Sequence, residues 1–313
     1  MNNWLYSYQH LPERLDPVAF SVFGLPVDWY SLMYLAGFLA AYLLLRYRIK
    51  KGEACHPRVC GDPVSGPKVS ALDSRLRGND KRKEIQNKIP DTEILLDLML
   101  AAFGGLLIGG RLGYVLFYNF SYYAAHPLEI ISPFDPVTHQ FIGIFGMSYH
   151  GALIGALLAG ALFVKIKKLN FWQWANFVAP AVPAGYFFGR LGNFMNGELY
   201  GRATNVFWGM YFPLDPYGLL RHPSELYEAV LEGLLLFLVL WPLRNHPKIK
   251  NNMLALYIIG YALARIVVEF FRQPDEQIGY LFGFLTLGQV LSFFMLIFGT
   301  VLMIARRKTG KMI

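Results

Sequence analysis

Residues 189–202 read GRLGNFMNGELYGR, in which two arginines, two asparagines and a glutamate are spaced by four glycines. They follow the apolar run FVAPAVPAGYFF, so this polar chemistry stands at the end of a segment fit to cross a membrane. Guanidinium groups are planar, permanently charged and grip oxyanions in a bidentate manner. Glycines let the backbone approach a ligand closely. The combination suits a phosphate or carboxylate group. Other ionisable residues also fall within apolar segments: Arg111, His150, Glu225, Glu228, Glu232, Arg265 and Glu269, with Asp97 near a segment end. Such residues are costly in lipid and are functional candidates by default.

Several of them carry two readings. Arg265 and Glu269 are four apart and share a helical face with Tyr261, which fits a structural pair or a substrate site. Glu225, Glu228 and Glu232 fall on one face at i, i+3 and i+7, as counter-charges to the arginines would. His150, in SYHGALIG, is either structural or a proton acceptor near neutral pH. Tyr30, in DWYSLMY, is a site residue or a member of the interfacial aromatic belt. Arg202, Arg221 and Arg272 lie outside the apolar segments and are expected to be solvated loop charges.

The elements that must position these residues are membrane helices. Only 16% of the 313 residues are charged and 55% are hydrophobic, against about a quarter charged in soluble proteins. Seven apolar segments, near 28–46, 93–118, 149–166, 171–195, 223–243, 252–271 and 281–304, meet the requirement of roughly 20 mostly apolar residues. The expectation is an all-α integral membrane protein, one polytopic domain over 1–313 with seven transmembrane helices. The net charge of +8 does not point to nucleic acid, because its excess sits in short clusters beside the apolar segments. Arg46, Arg48, Lys50 and Lys51, then Lys165, Lys167 and Lys168, then Arg244, Lys248 and Lys250, then Arg306, Arg307, Lys308 and Lys311 follow alternate spans, whereas 119–148 has no Lys or Arg. Positive residues stay inside, so the N-terminus is expected in the periplasm and the C-terminus in the cytoplasm. Loops 119–148 and 196–222 then form a small periplasmic head, and the intramembrane charges converge on the outer half of the bilayer. No cleavable signal peptide is expected in the first residues.

Residues 52–90, rich in Gly, Pro and charge and without periodicity, are expected to be a disordered cytoplasmic insertion. Cys55, His56 and Cys60 fall in it, but three ligands at irregular spacing fall short of the four of a structural zinc site, so no metal is expected. The small residues of GGLLIGG (104–110), GALIGALLAG (151–160) and AVPAG (181–185) are expected to pack helices closely. One echo stands out: GRLGY at 110–114 recurs as GRLGN at 189–193, as though the same polar device were used twice.

The stretch GRLGNFMNGELYGR resembles the signature of the prolipoprotein diacylglyceryl transferases of bacterial inner membranes. The resemblance continues, in the family's order, through DWYSLMYLAGF, GGRLGYVLFYN, MSYHGALIG, RHPSELYE and GYALARIVVEFFRQPD. It implies a seven-helix, multi-pass protein of the inner membrane that moves the diacylglyceryl group of phosphatidylglycerol to the lipobox cysteine thiol of a prolipoprotein. A thioether forms and sn-glycerol 1-phosphate leaves. By motif position, Arg190 and Asn193 would hold the headgroup, with Glu198 and Gly201 completing the signature. Arg265 would be the second essential arginine, Glu269 its acidic partner, and Tyr261 a tyrosine on the same face. His150 matches the family's proposed base and Tyr30 a functionally important tyrosine, and Arg111 joins the lipid-binding set. No cofactor is implied, since the phosphate that departs is already anionic in the phosphodiester substrate and the nucleophile comes from the prolipoprotein. Ala152 replaces the second glycine after the histidine, one methyl group larger. The competing reading is a transporter or channel for an anionic solute; a third is a lipid-binding scaffold without chemistry. Transporters place sites at the midplane between internal repeats, and here the charge is skewed outward.

Overall fold

The computed structural model describes residues 3–22, 24–53, 91–132, 134, 146–274, 280–281 and 283–309. Most of the expected insertion, with Cys55, His56 and Cys60, lies outside the described residues. The chain is mostly helical, and five helices are long and apolar enough to cross a membrane: Trp29–Lys50, Thr92–Phe117, Ser224–Leu243, Lys250–Val268 and Leu287–Arg306. Each overlaps a segment that hydropathy marks, and a helix satisfies its own backbone hydrogen bonds where water is absent. Leu35, Leu39 and Leu43 recur one turn apart on Trp29–Lys50 and are each at least half exposed, leaving an apolar stripe that suits lipid.

The two remaining expected segments differ from that pattern. Tyr149–Ile166 is a shorter apolar helix, capped by the Ser148 hydroxyl, which accepts from Gly151 N at 3.3 Å. The segment expected at 171–195 is not one helix. It is built from Phe171–Val178, a 3-10 turn at Ala179–Ala181 and Val182–Met195. Pro180 and Pro183 account for the break, since neither has an N–H to donate and each ring crowds the preceding turn. Two short antiparallel hairpins, Val18–Val22 with Leu25–Asp28 and Tyr280–Leu281 with Leu285–Thr286, lead directly into the first and last long helices. The last helix therefore starts at Leu287 rather than near 281. Inside Ser224–Leu243, residues Ala229–Leu235 are wound as a π-helix, a local overexpansion common beside functional sites.

The chain divides into two compact units, Met1–Arg48 with Ala175–Ile313, and Ile49–Trp174. In the second unit, Asp91–Phe117 packs on Tyr149–Ile166 through the predicted small residues: a Cβ on Gly105 would meet Gly155 and Ala159, and one on Gly109 would meet Gly151 and Gly155. Arg111 is buried there. It donates from Nε to the Ile130 carbonyl at 2.7 Å, from Nη2 to the Glu129 carbonyl at 2.7 Å and from Nη1 to the Gly146 carbonyl at 3.4 Å. Its guanidinium also lies 4.9 Å from the centroid of the Tyr123 ring.

In the first unit, Val182–Met195 is flanked by two partners. Gly37 of Trp29–Lys50 approaches it so closely that a Cβ would stand 2.8 Å from Gly185 O, and Gly192 rests on Tyr30 and Met33. On another side Gly233 meets Phe187, with no room for a side chain between them. Arg48, one of the basic residues that follow the first apolar segment, is buried, with its Nη1 on the Phe177 carbonyl and its guanidinium 4.6 Å from that residue's ring centroid. Residues 196–222 form an ordered cap. Phe194, Met210 and Phe212 make its core with Tyr8, Leu15, Tyr200 and Leu226.

Candidate active site

The polar residues of the first unit converge on one carboxylate. Glu228 is fully buried, and three arginines reach it: Arg190 Nε at 2.7 Å and Arg265 Nη1 at 3.2 Å on Oε2, and Arg272 Nη1 at 2.9 Å on Oε1. These side chains come from three places in the sequence, brought together by the packing of Val182–Met195 and Met253–Val268 around Ser224–Leu243. Glu232 adds a second acceptor, 3.7 Å from Arg265 Nη1. Glu269 Oε2 stands 3.1 Å from Arg265 Nε, and Glu269 Oε1 accepts from the Thr286 hydroxyl at 3.1 Å.

Around Arg190 the signature forms a chain of hydrogen bonds. Its Nη1 donates to Asn193 Oδ1 at 3.0 Å, and Asn193 Nδ2 donates to Glu198 Oε1 at 2.9 Å. The asparagine is thereby fixed in one orientation, and so is the arginine fork. Glu198 sits in a tight turn between Gly197 at φ 68° and Leu199 at φ 62°. A leucine in the left-handed region costs roughly 1 kcal/mol or more; the Ser224 hydroxyl braces this turn through the Leu199 carbonyl at 2.9 Å. Gly201 has no room for a side chain: a Cβ would stand 2.8 Å from His222 O and would also clash with the Phe271 carbonyl. What the structure requires at that position is close backbone approach.

Tyr186 belongs to the cluster although the sequence reading does not single it out. Its hydroxyl accepts from Arg190 Nε at 2.8 Å and faces Glu232 Oε2 at 2.5 Å and Glu228 Oε2 at 3.1 Å. One hydroxyl proton serves the nearer Glu232. The usable signal is spacing, since Tyr186 lies four residues before Arg190 on the same helix face. Tyr261 meets the Tyr186 ring edge-to-face, 5.7 Å between centroids. Tyr30 lies beside Gly192, its hydroxyl 3.1 Å from that of Tyr34.

Three expectations about loop charge are overturned. Arg272 pairs with buried Glu228, as above. Arg202 donates from Nε to the Arg272 carbonyl at 2.8 Å and from Nη2 to the Glu269 carbonyl at 3.2 Å. Arg221 is buried and bidentate on Asp215, with Nε and Nη2 each at 2.8 Å. Each is held because residues 196–222 and 269–272 fold back as short bridges, Gly201 with Arg272 and Ala203 and Met210 with Arg221. The hydrogen bonds from Arg221 hold the Asp215 carboxyl below its usual range. Of the three glutamates on one face, Glu228 and Glu232 meet arginines, whereas the Glu225 carboxyl is fully buried with no hydrogen-bond partner among the described residues.

Arg111 and His150 belong to the second unit. The contacts of Arg111 account for its burial without a ligand. His150 lies in the first turn of Tyr149–Ile166 and is exposed. The described residues of the first unit thus bring together Arg190, Asn193, Glu198, Gly201, Arg265, Glu269, Tyr261 and Tyr30.

Long apolar helices enclosing an arginine–carboxylate cluster define an integral membrane protein with a buried charged site. The model of the prolipoprotein diacylglyceryl transferase family matches residues 17–60 and 76–305. A phosphatidylglycerol–prolipoprotein diacylglyceryl transferase of Chlorobaculum tepidum is 41% identical over 295 residues, 93% of this chain and 90% of the relative. Those of Campylobacter curvus and Wolinella succinogenes are 41% and 40% identical, covering 96% and 99% of this chain and 96% and 99% of their own lengths. The chain belongs to the prolipoprotein diacylglyceryl transferase family.

Proposed function

We propose that this protein transfers the diacylglyceryl group of phosphatidylglycerol to the thiol of a lipobox cysteine in prolipoprotein signal peptides, in the bacterial inner membrane. The observation that carries the reading is the meeting of Arg190 and Arg265 on Glu228, with Arg190 oriented through Asn193 and Glu198. A guanidinium offers five donors in a fixed fork, so an arginine engaged with a carboxylate retains N–H groups for an incoming phosphate. The thiol sulfur attacks the glycerol carbon that carries the phosphate ester. The sulfur–carbon bond forms as the carbon–oxygen bond breaks, and the electron pair departs with the phosphate oxygen as sn-glycerol 1-phosphate. Arg190 and Arg265 stabilise the charge growing there. A thiol has a pKa near 8.5 and needs a base or cationic surroundings to react as thiolate; His150 takes its proton in this reading. Seven spans with a periplasmic N-terminus put the chemistry in the outer leaflet and make 119–148 and 196–222 periplasmic loops. The shorter Tyr149–Ile166 helix and the broken 171–195 segment then supply the third and fourth spans.

The test is purified protein with phosphatidylglycerol and a lipobox peptide, followed by mass spectrometry for the diacylglyceryl adduct. Failure to form the adduct under conditions that preserve the fold sinks the reading. His150→Ala is expected to lower the rate by about 100-fold or more; retention of most activity removes the base assignment while the function stands.

A further inference from the structure

We infer that Arg272 is a third substrate-binding guanidinium and that it holds a glycerol phosphate group at the mouth of the buried cluster. The inference rests on the transferase reading above. Arg272 lies just past Met253–Val268, in the stretch expected to be solvated. Its head instead turns inward to Glu228 Oε1, 2.9 Å away, while its side chain remains 15% exposed. It lines an open cleft with Glu198, Leu199, Tyr200, Leu214 and Gln273. One face of the residue thus belongs to the arginine–carboxylate cluster and the other to the cleft.

Snorkelling does not describe this geometry. A snorkelling arginine extends its head to water from a tolerant backbone, whereas here the backbone is fixed on both sides. The Arg272 N–H donates to the Val268 carbonyl at 3.2 Å, and its carbonyl accepts from Arg202 Nε at 2.8 Å. Nη2 of Arg272 has no partner among the described residues. A fixed guanidinium with a donor to spare, at the edge of a cleft, is placed for an oxyanion.

The cleft also matches the rest of a glycerol phosphate. The phosphate needs donors, which Arg272 supplies. The glycerol hydroxyls need acceptors, and Glu198 carries a carboxylate on the same lining. Glu198 is also the far end of the chain that orients Arg190. A group seated between Arg272 and Glu198 therefore touches the same network that holds the reacting end of the lipid. This chemistry is shared by the headgroup of the lipid substrate and by the released product.

The experiment uses the full-length protein in lipid nanodiscs, as wild type, Arg272→Lys and Arg272→Gln. It measures KM for phosphatidylglycerol, the inhibition constant of added sn-glycerol 1-phosphate, and thermal stability. Arg272→Gln is expected to raise both constants by about tenfold, the lower end for losing a charge-assisted hydrogen bond, and Arg272→Lys by less, since it keeps charge without the fork. A rise confined to KM assigns the residue to the lipid headgroup, and a rise confined to the inhibition constant assigns it to the departing product; either supports the inference. Both constants unchanged in Arg272→Gln overturn it, whatever happens to kcat or stability. If Arg272→Gln does not fold, Arg272→Lys decides by the same readout, and wild-type constants overturn the inference. If the wild type shows no transfer, the function reading fails separately. Calorimetric binding of sn-glycerol 1-phosphate to wild type and the two variants then still decides the site.

Discussion

Arg111 and Arg190 occupy the same place in two copies of GRLG, yet their surroundings are of different kinds. Arg111 donates to the backbone carbonyls of Glu129, Ile130 and Gly146 and lies over the Tyr123 ring. Arg190 faces a carboxylate, a phenol and a side-chain amide, all three held in turn by other side chains. Carbonyl dipoles satisfy a guanidinium's donors and tie down the loop they come from. A shared carboxylate does something else: it gathers several arginines at one point, where a second anion can compete for their remaining donors. The repeated tetrapeptide sets helix packing in both units through its glycines, and the neighbours decide what the arginine does.

The sharpest way to break that comparison is to truncate both. Arg190→Ala is expected to lower transfer by about a thousandfold or more, because it removes a donor from the departing phosphate, and to lower melting as well, because buried Glu228 loses one of its three arginines. Arg111→Ala is expected to cost about 2 kcal/mol of stability through unmade carbonyl contacts. Its folded fraction should turn over near the wild-type rate. Initial rates normalised to folded protein, together with thermal melts, check both. Loss of transfer in a stably folded Arg111→Ala would abolish the distinction.

Glu228→Gln sharpens it from the carboxylate side. Three arginines then share a neutral acceptor, and the expected cost is about 3 kcal/mol, the lower range for breaking a buried pair. Denaturant unfolding measures it.

Arg221 with Asp215 extends the contrast to pH. The folded-state pKa of Asp215 is depressed, so the stability of this pair is present above the ordinary carboxylate range and is lost as pH falls through the folded value. Melting temperature is expected to fall on acidification, and Asp215→Asn should remove that part of the fall. An identical acid profile in the variant would assign it to other groups.

The smallest effect concerns the turn that holds Glu198. Leu199→Gly relieves a left-handed leucine but loosens the unfolded chain, so stability should change by about 1 kcal/mol or less. The rate should drop modestly if the turn's rigidity orients Asn193. A rate drop as large as that of Arg190→Ala would move Leu199 into the binding machinery.

Much of the fold and of the site was legible locally. Hydropathy marked all five of the long apolar helices, and the i,i+4 spacing of Arg265 and Glu269 became an ion pair of 3.1 Å. The glycines at 105, 109, 151 and 155 pack as their spacing suggested. Pro180 and Pro183 were also visible, but hydropathy averages over a window and does not register that two missing N–H groups break a helix there. The loop arginines were misjudged for a related reason. A charge outside an apolar segment reads as solvated unless something distant covers it, and what holds Arg221 and Arg272 is a set of backbone bridges, Arg221 with Ala203 and Met210 and Arg272 with Gly201.

The sequence by itself determined which residues are costly in a membrane and which neighbours on one helix share a face, because both follow from composition and the helical period. Only the tertiary structure decided that Glu228 is the common partner of Arg190, Arg265 and Arg272, that Glu225 is partnered by none of them, and that Arg111 serves a loop. Those choices depend on how three helices approach one another, on a π-wound turn beside Glu228 and on a folded cap. No local periodicity encodes contacts between elements so far apart in the chain.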